Sequence, residues 1–389
     1  MNLNKQKIDQ ATGLLKEFDI DVWVIFVRET SMMADPVMSL LIGHNVTWQS
    51  FFIFTKSGEA IALVGNFDEA LFAKSGHFTK VIPYTRGVGN DIRELIQRLD
   101  PKSIALNYSI DDTGSDGLTH GMYLQLCDYL KETPYASRFV SSEPICSRLR
   151  SRKLPAEIEL LSAAAHEAVS VWDKAVKKIA PGMTEKEIGG VIDRLISATG
   201  GTPSFPTIVN AGTKSDPGHG HPTDAKLARG ELLHVDFGIL KNDYCSDIQR
   251  LVYFPSPQQA SPSPELIDAF QTVRDIITET ATLCKPGVKG YEVDAVARTM
   301  LKDNGYEKYQ HALGHQLGRS VHDGGAILGP QWERYGHMPS IPLEEGNVLT
   351  LELEIMLAGL GCVGLEEDVV VTPSGARFLS QRQMYLVIG

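Results

Sequence analysis

Cysteine is scarce in this chain of 389 residues: Cys127, Cys146, Cys245, Cys284 and Cys362 are an odd number, scattered without a C-x-x-C pair. That excludes a disulfide framework or a zinc knuckle as the organising device. Long hydrophobic runs are missing too. No stretch approaches the roughly 18 apolar residues of a membrane span, and the opening Met-Asn-Leu-Asn-Lys-Gln-Lys has none of the apolar core of a secretory signal. The expectation is a cytoplasmic protein with no membrane partner. Positive charge is in deficit, with 37 Lys and Arg against 48 Asp and Glu and a net charge of −11. Such a balance gives no general attraction to phosphate backbones, so no nucleic-acid partner is expected.

What is present is ample apolar material, 43% of the residues, with 22% charged, enough for large cores and about two domains. Over residues 1–150, short β-rich runs (21–26, 51–55, 60–64, 103–107) alternate with helical stretches such as 118–131, which predicts an α/β domain. The polar, basic segment 147–154 then precedes Pro155, a residue tolerated at the start of a helix. The expected division is therefore 1–150 and 151–389.

The second part contains an internal repeat, visible when 179–200 is laid on 284–305 without a gap. Pro181-Gly182 falls on Pro286-Gly287, and Gly200 falls on Gly305. The helical face Ile188, Val191, Ile192, Leu195, Ile196 falls on Val293, Val296, Ala297, Met300, Leu301. Thr184 with Glu187 offers a capping box to the first copy, whereas Lys289 and Glu292 stand in the second, so only the architecture repeats. Each copy is followed by a pair of β-rich runs carrying acidic residues. A site between two such halves would draw side chains from both.

Those acidic residues are patterned. In 231–254 two apolar runs flank Lys241-Asn242, read as a two-residue hairpin loop, which would set Asp236 directly opposite Asp247 with β-carbons roughly 5 Å apart. In 348–372, Glu352 and Glu366 are equidistant from a turn centred on Gly359. Opposed carboxylates in apolar strands repel, and the nearby strands supply too few Lys or Arg to neutralise four of them. Divalent cations would. Oxygen ligation with an added imidazole suits Mn²⁺, Co²⁺, Zn²⁺ or Fe²⁺. Imidazoles cluster in 311–322 (His311, His315, His322) and in Gly-His219-Gly-His221-Pro, in a chain with only 11 His.

With these motifs the segment 154–389 resembles the metallopeptidase family of creatinase, prolidase and aminopeptidase P, whose catalytic domain has the pita-bread fold. The resemblance is carried by Val-Asp236-Phe-Gly, Ser-Asp247-Ile, Gly-His315-Gln-Leu-Gly, Thr-Leu-Glu352 and Leu-Glu366-Glu-Asp. It implies a creatinase-like α/β N-terminal domain, an α+β pita-bread catalytic domain with an internal pseudo-two-fold repeat, and a homodimer. It also implies two divalent metal ions, Mn²⁺ first among them, held by Asp236, Asp247, His315, Glu352 and Glu366. The expected reaction is release of an N-terminal residue from a small Xaa-Pro peptide by a hydroxide bridging the two ions. Glu352 would take up the proton, and His219 and His322 would contact the carbonyl oxygen. His311, His219 and His322 would line the substrate site.

The chain also departs from the family pattern. Glu-Pro-Gly is here Glu352-Leu353-Glu354, Asp-Ile-Thr-Arg is Asp247-Ile248-Gln249-Arg250, and Gly364 stands where an Arg is usual two positions before the last Glu. The alternative expectation is thus a hydrolase or lyase of the same fold acting on a small non-peptide substrate, such as an amidine, an ectoine derivative or a sulfonium compound. His221 and His234 match no motif and are read as structural.

Overall fold

The run Val-Trp-Val-Ile-Phe-Val is apolar at every position and belongs in a strand covered on both faces. It forms β1 (Val22–Val27), central in a six-stranded mixed sheet with β2 (Ser50–Thr55), β3 (Ala60–Gly65), β4 (Lys80–Tyr84), β5 (Ile104–Leu106) and β6 (Phe139–Ser141), in the order β4-β3-β2-β1-β5-β6. Side chains alternate between two cores, as the two-residue period of a strand requires. Trp23, Ile25, Phe52 and Phe54 pack on one face, and Val22, Val24, Phe51 and Ile53 on the other. Six helices accompany this sheet: α1 (Leu3–Glu17), α2 (Met38–Leu41), α3 (Glu69–Ser75), α4 (Gly89–Leu99), α5 (His120–Tyr129) and α6 (Glu143–Ser151). In this computed structural model residues 2–214 and 220–389 are described, and the chain divides into two units, Met1–Arg150 and Ser151–Gly389.

Among the described residues the second unit has four long helices, α7 (Pro155–Val176), α8 (Glu185–Ser197), α9 (Pro264–Leu283) and α10 (Gly290–Asp303). Its strands are β7 (Thr202–Pro203), β8 (Ile208–Ala211), β9 (Glu231–Phe237), β10 (Ile239–Lys241), β11 (Tyr244–Cys245), β12 (Ile248–Phe254), β13 (Val348–Leu357), β14 (Gly361–Thr372), β15 (Gly375–Phe378) and β16 (Val387–Ile388). The main sheet runs β13-β14-β12-β9-β8, with β15 on β14 and β16 on β12, while β11, β10 and β7 form a small separate sheet. The helices cover one face of the main sheet. Val235 and Phe237 of β9 pack with Ile188 and Ile192 of α8, and Leu349, Leu351 and Leu353 of β13 pack with Ile276, Ile277 and Val293 of α9 and α10. Residues of the opposite parity, among them Asp236, Glu352 and Glu366, leave those cores and gather on the other face.

The repeat read from the sequence is present in three dimensions. α7–α8 followed by β9 and β12 corresponds to α9–α10 followed by β13 and β14. In each half a Pro-Gly turn places glycine at positive φ, 101° at Gly182 and 89° at Gly287, and each glycine N–H donates to a downstream loop carbonyl, Leu227 O at 2.7 Å and Leu343 O at 2.8 Å. The caps are more alike than expected. Glu187 accepts from the Thr184 N–H and Glu292 from the Lys289 N–H, both at 2.8 Å, so the reciprocal half of the capping box survives although lysine has no acceptor to return the bond. Among the described residues no helix is long and apolar enough to cross a membrane.

Because L-residues are strained at these φ values, Gly182→Ala and Gly287→Ala should each destabilise the protein by about 1–2 kcal/mol. Urea unfolding of the two variants checks this, and equal losses are the signature of equivalent turns in the two halves.

Candidate metal centre

Four neighbouring strands carry one polar row across the main sheet. Asp236 of β9 faces Gln249 of β12, Gln249 faces Glu366 of β14, and Glu366 faces Glu352 of β13. The Glu352–Glu366 pairing is the register predicted by their equal spacing from Gly359. The first hairpin differs from expectation. Its loop is Asn242-Asp243, not Lys241-Asn242, because β10 and β11 pair Leu240 with Cys245 and Lys241 with Tyr244. Both loop residues have positive φ, 50° and 64°, as a two-residue turn matching strand twist demands, and Asn and Asp tolerate this where Lys does not. The register moves by two residues. Asp236 therefore faces Gln249, and Asp247 lies diagonal to it, in the short break between β11 and β12.

His315 enters from the loop after α10. Its N–H donates to Thr350 Oγ1 and its carbonyl accepts from the Thr350 N–H, at 3.1 and 2.9 Å, which docks the loop on β13. Nδ1 lies 3.3 Å from the Gln316 carbonyl, an acceptor, so the ring proton belongs on Nδ1 and the Nε2 lone pair points inward. There Nε2 is 3.7 Å from Asp247 Oδ2 and 3.6 Å from Glu352 Oε1. Donor atoms of Asp247, His315 and Glu366 all lie within 4.8 Å of one another, the spacing of a shared cation site. The loop is held from behind by Lys153 and Asp323, an almost fully buried ion pair at 2.8 Å.

Burial is the main influence on every acid in the row. It pushes Asp236, Asp247 and Glu366 well above the usual carboxylate range, and their mutual charges add to the effect. Glu352 rises to about 7 through burial and the charge of Glu354, against an opposing pull from His311. His315 is driven the other way, to about 3, by burial and then by His322, and so presents a neutral ligand nitrogen. One test of fit to cations is whether buried donor atoms lack partners. Asp236 Oδ1, Asp247 Oδ1 and Glu366 Oε1 are buried without a hydrogen-bond partner. Anionic oxygens in a dry, crowded site, with an imidazole nitrogen beside them, fit divalent cations.

The other histidines named from the sequence fall into three situations. His311 is half-buried and ion-paired with Glu354 at 3.2 Å; burial opposes its protonation, but Glu354 and Glu352 lift it to about 9. Arg298, paired with Asp294 of the same helix, braces this segment by donating to the His311 carbonyl at 2.6 Å. His322 is exposed, its ring 4.4 Å from that of His315 in an edge-on contact. His219 lies outside the described residues.

Several polar residues of the site were not singled out from the sequence. Asp368 accepts from the Asp247 N–H at 3.2 Å, and Gln249 Nε2 donates to Glu352 Oε2 and Glu366 Oε2, both at 3.1 Å. His234, read as structural, contacts Gln249 at 3.0 Å. A signal existed. His234/Asp236, Asp247/Gln249, Glu352/Glu354 and Glu366/Asp368 are all i, i+2 pairs, which puts each partner on the same face in a strand.

Comparison with known proteins bears on the family and the fold. The sequence model of metallopeptidase family M24 matches residues 159–373. The chain is 29% identical over 280 residues to a Xaa-Pro dipeptidase of Pyrococcus furiosus, spanning 72% of this chain and 77% of that protein. Among solved structures it is similar to a Xaa-Pro dipeptidase from Bacillus anthracis, with TM-score 0.79, 22% identity and coverage of 99% and 100% of the two chains. It is also similar to an X-Pro aminopeptidase from Thermotoga maritima, with TM-score 0.76, 24% identity and coverage of 98% and 99%.

The raised acids link cation binding to pH. A carboxyl whose folded pKa is raised stabilises the metal-free fold below its unfolded pKa, and that contribution is lost as pH climbs through the folded value, about 7 for Glu352. Cations need the deprotonated row. The gain in melting temperature on adding Mn²⁺ to chelator-treated protein should therefore widen from pH 5 to pH 7.5, as roughly expected where ligands must shed protons. A gain that shrinks over that range would contradict this linkage.

Proposed function

The chain belongs to metallopeptidase family M24, and from that premise we propose that it hydrolyses Xaa-Pro dipeptides or short Xaa-Pro peptides with two divalent cations, Mn²⁺ first among them. The observation that carries this reading is the row of buried carboxylates with unpartnered inward oxygens beside the His315 Nε2 lone pair. The printed name of the Pyrococcus furiosus relative supports the substrate class.

In this reading Asp236, Asp247, His315, Glu352 and Glu366 would hold the cations. Bound there, the cations supply a nucleophile by acidifying water and a Lewis acid for the scissile carbonyl. The remaining steps fall to side chains. Glu352 is half-buried, with 18% of its side chain exposed, whereas Asp247 and Glu366 are sealed. In this reading it would take a proton from water and pass it on. His322, exposed beside His315, would donate to the substrate carbonyl oxygen as charge develops, and His311, whose protonation Glu354 favours, would offer the substrate a positive group. His219 shares that task on sequence grounds alone.

A homodimer and a cytoplasmic location complete the proposal. The first rests on the family resemblance and the second on five unpaired cysteines, four of them buried. Gly364 favours one rival. With glycine in place of the Arg usual in the family, an Arg-mediated contribution to the site is missing, which would suit a small non-peptide substrate on the same scaffold.

The test is metal content of purified protein together with hydrolysis of an Xaa-Pro panel, in wild type and in Asp247→Ala. Two ions per chain and a loss of at least about 10³-fold in kcat/KM for Asp247→Ala, roughly 4 kcal/mol, are expected. Metal without peptide cleavage would move the assignment to amidine, ectoine-like or sulfonium substrates. No metal uptake would sink the dinuclear site.

A further inference from the structure

Gln249, a member of the polar row, also ends a second line of polar groups, all buried. Asn210 Nδ2 is 3.1 Å from His234 Nδ1, and His234 Nε2 is 3.0 Å from Gln249 Oε1. Gln249 Nε2 then reaches Glu352 Oε2 and Glu366 Oε2 at 3.1 Å each. Asn210, His234 and Gln249 are each 5% exposed, so no solvent competes for these bonds.

The direction of the line is dictated by its end. In the ionised state that cation binding requires, both carboxylates accept and do not donate, so the Gln249 group between them is the NH₂. Its carbonyl then faces His234, which must donate from Nε2. With that proton on Nε2, His234 Nδ1 accepts, and the group opposite it is the Asn210 NH₂. Every link has one polarity, and reversing any one sets acceptor against acceptor.

Room for the line is made by Gly364. A β-carbon at that position would lie 2.7 Å from Gln249 Oε1 and 2.9 Å from His234 Nε2, both too close. The long amide at 249, the imidazole at 234 and the missing side chain at 364 thus depend on one another. This accounts together for two departures from the family pattern that look unrelated in the sequence.

We propose that Asn210, His234 and Gln249 form a one-way hydrogen-bond relay, seated over Gly364, that positions Glu352 and Glu366 for cation binding and so sets the affinity of the centre. Gln249 is a positioning residue. By holding the Oε2 atom of both glutamates it fixes their rotamers and turns Glu366 Oε1, which has no protein partner, toward the space beside Asp247 and His315. Residues that orient metal ligands in this way typically govern affinity by about 10–100-fold.

This inference rests on the metal-binding reading above, and the experiment separates the two. Metal-free full-length protein is titrated with Mn²⁺ by calorimetry as wild type, Gln249→Met and Gly364→Ala, with circular dichroism confirming the fold. Gln249→Met removes both donors at nearly constant volume. Gly364→Ala keeps them but forces them aside. Both variants are expected to bind Mn²⁺ about 10–100-fold more weakly, with kcat on an Xaa-Pro dipeptide reduced and KM little changed. The double variant should be no weaker than the worse single one, since both act through the same bonds. Unchanged Mn²⁺ affinity in folded Gln249→Met and Gly364→Ala overturns the relay while leaving the metal centre intact. Losses that add in the double variant overturn it as well. Wild type that takes up no Mn²⁺ overturns the metal reading and the relay with it.

Discussion

Mutual repulsion among buried carboxylates is the constraint around which the second unit is arranged. Asp236, Asp247, Glu352 and Glu366 stand on one face of an apolar sheet, where burial alone drives their protonation equilibria upward. Each uncompensated charge there would cost several kcal/mol. The fold nevertheless concentrates them, and the surroundings are built to keep them apart and oriented rather than to neutralise them. Cations near the row are committed to other partners: Arg250 to Glu367 at 2.9 Å, Lys153 to Asp323 at 2.8 Å and Arg298 to Asp294 at 2.6 Å.

Those buried ion pairs have a common use. Arg250 also donates to the carbonyls of Gln249 and Glu366, at 2.9 Å each, which ties the backbones of β12 and β14 together at the point where the row crosses them. Lys153 anchors the loop bearing His315 through Asp323, and Arg298 anchors the segment bearing His311. Buried pairs of this kind contribute little net stability compared with apolar packing. Their value here is geometric, since a ligand set must be held to within a fraction of an ångström to favour one arrangement of cations.

The pseudo-two-fold repeat explains why the row has contributions from both halves. Each half buries the helix-facing side of its hairpin and leaves the alternate side chains pointing to the other face. β12 and β14 then pair, so that the acids of the two hairpins meet along a single line. Neither half has the full set. Asp236 and Asp247 come from the first, and His315, Glu352 and Glu366 from the second.

Much of this was legible in the chain itself. The helix repeat, the apolar strands, the acidic residues within them and the equal spacing of Glu352 and Glu366 about Gly359 are local or periodic features, and periodicity survives folding because strand and helix geometry impose it. The first hairpin was misread by one loop residue, since turn type depends on which positions accept positive φ, and Asn242-Asp243 accepts it where Lys241 does not. The i, i+2 spacing set His234 and Gln249 on the ligand face, but that they would meet each other and Gly364 was not legible in the sequence. They lie on three different strands, and their dependence on one another is a matter of a few tenths of an ångström between side chains brought together by the pairing of β9, β12 and β14. Composition and the two-residue strand period set which residue types were on hand and on which face of each strand they would lie. Which of them touch was settled in three dimensions, because strand order and register are set by long-range packing.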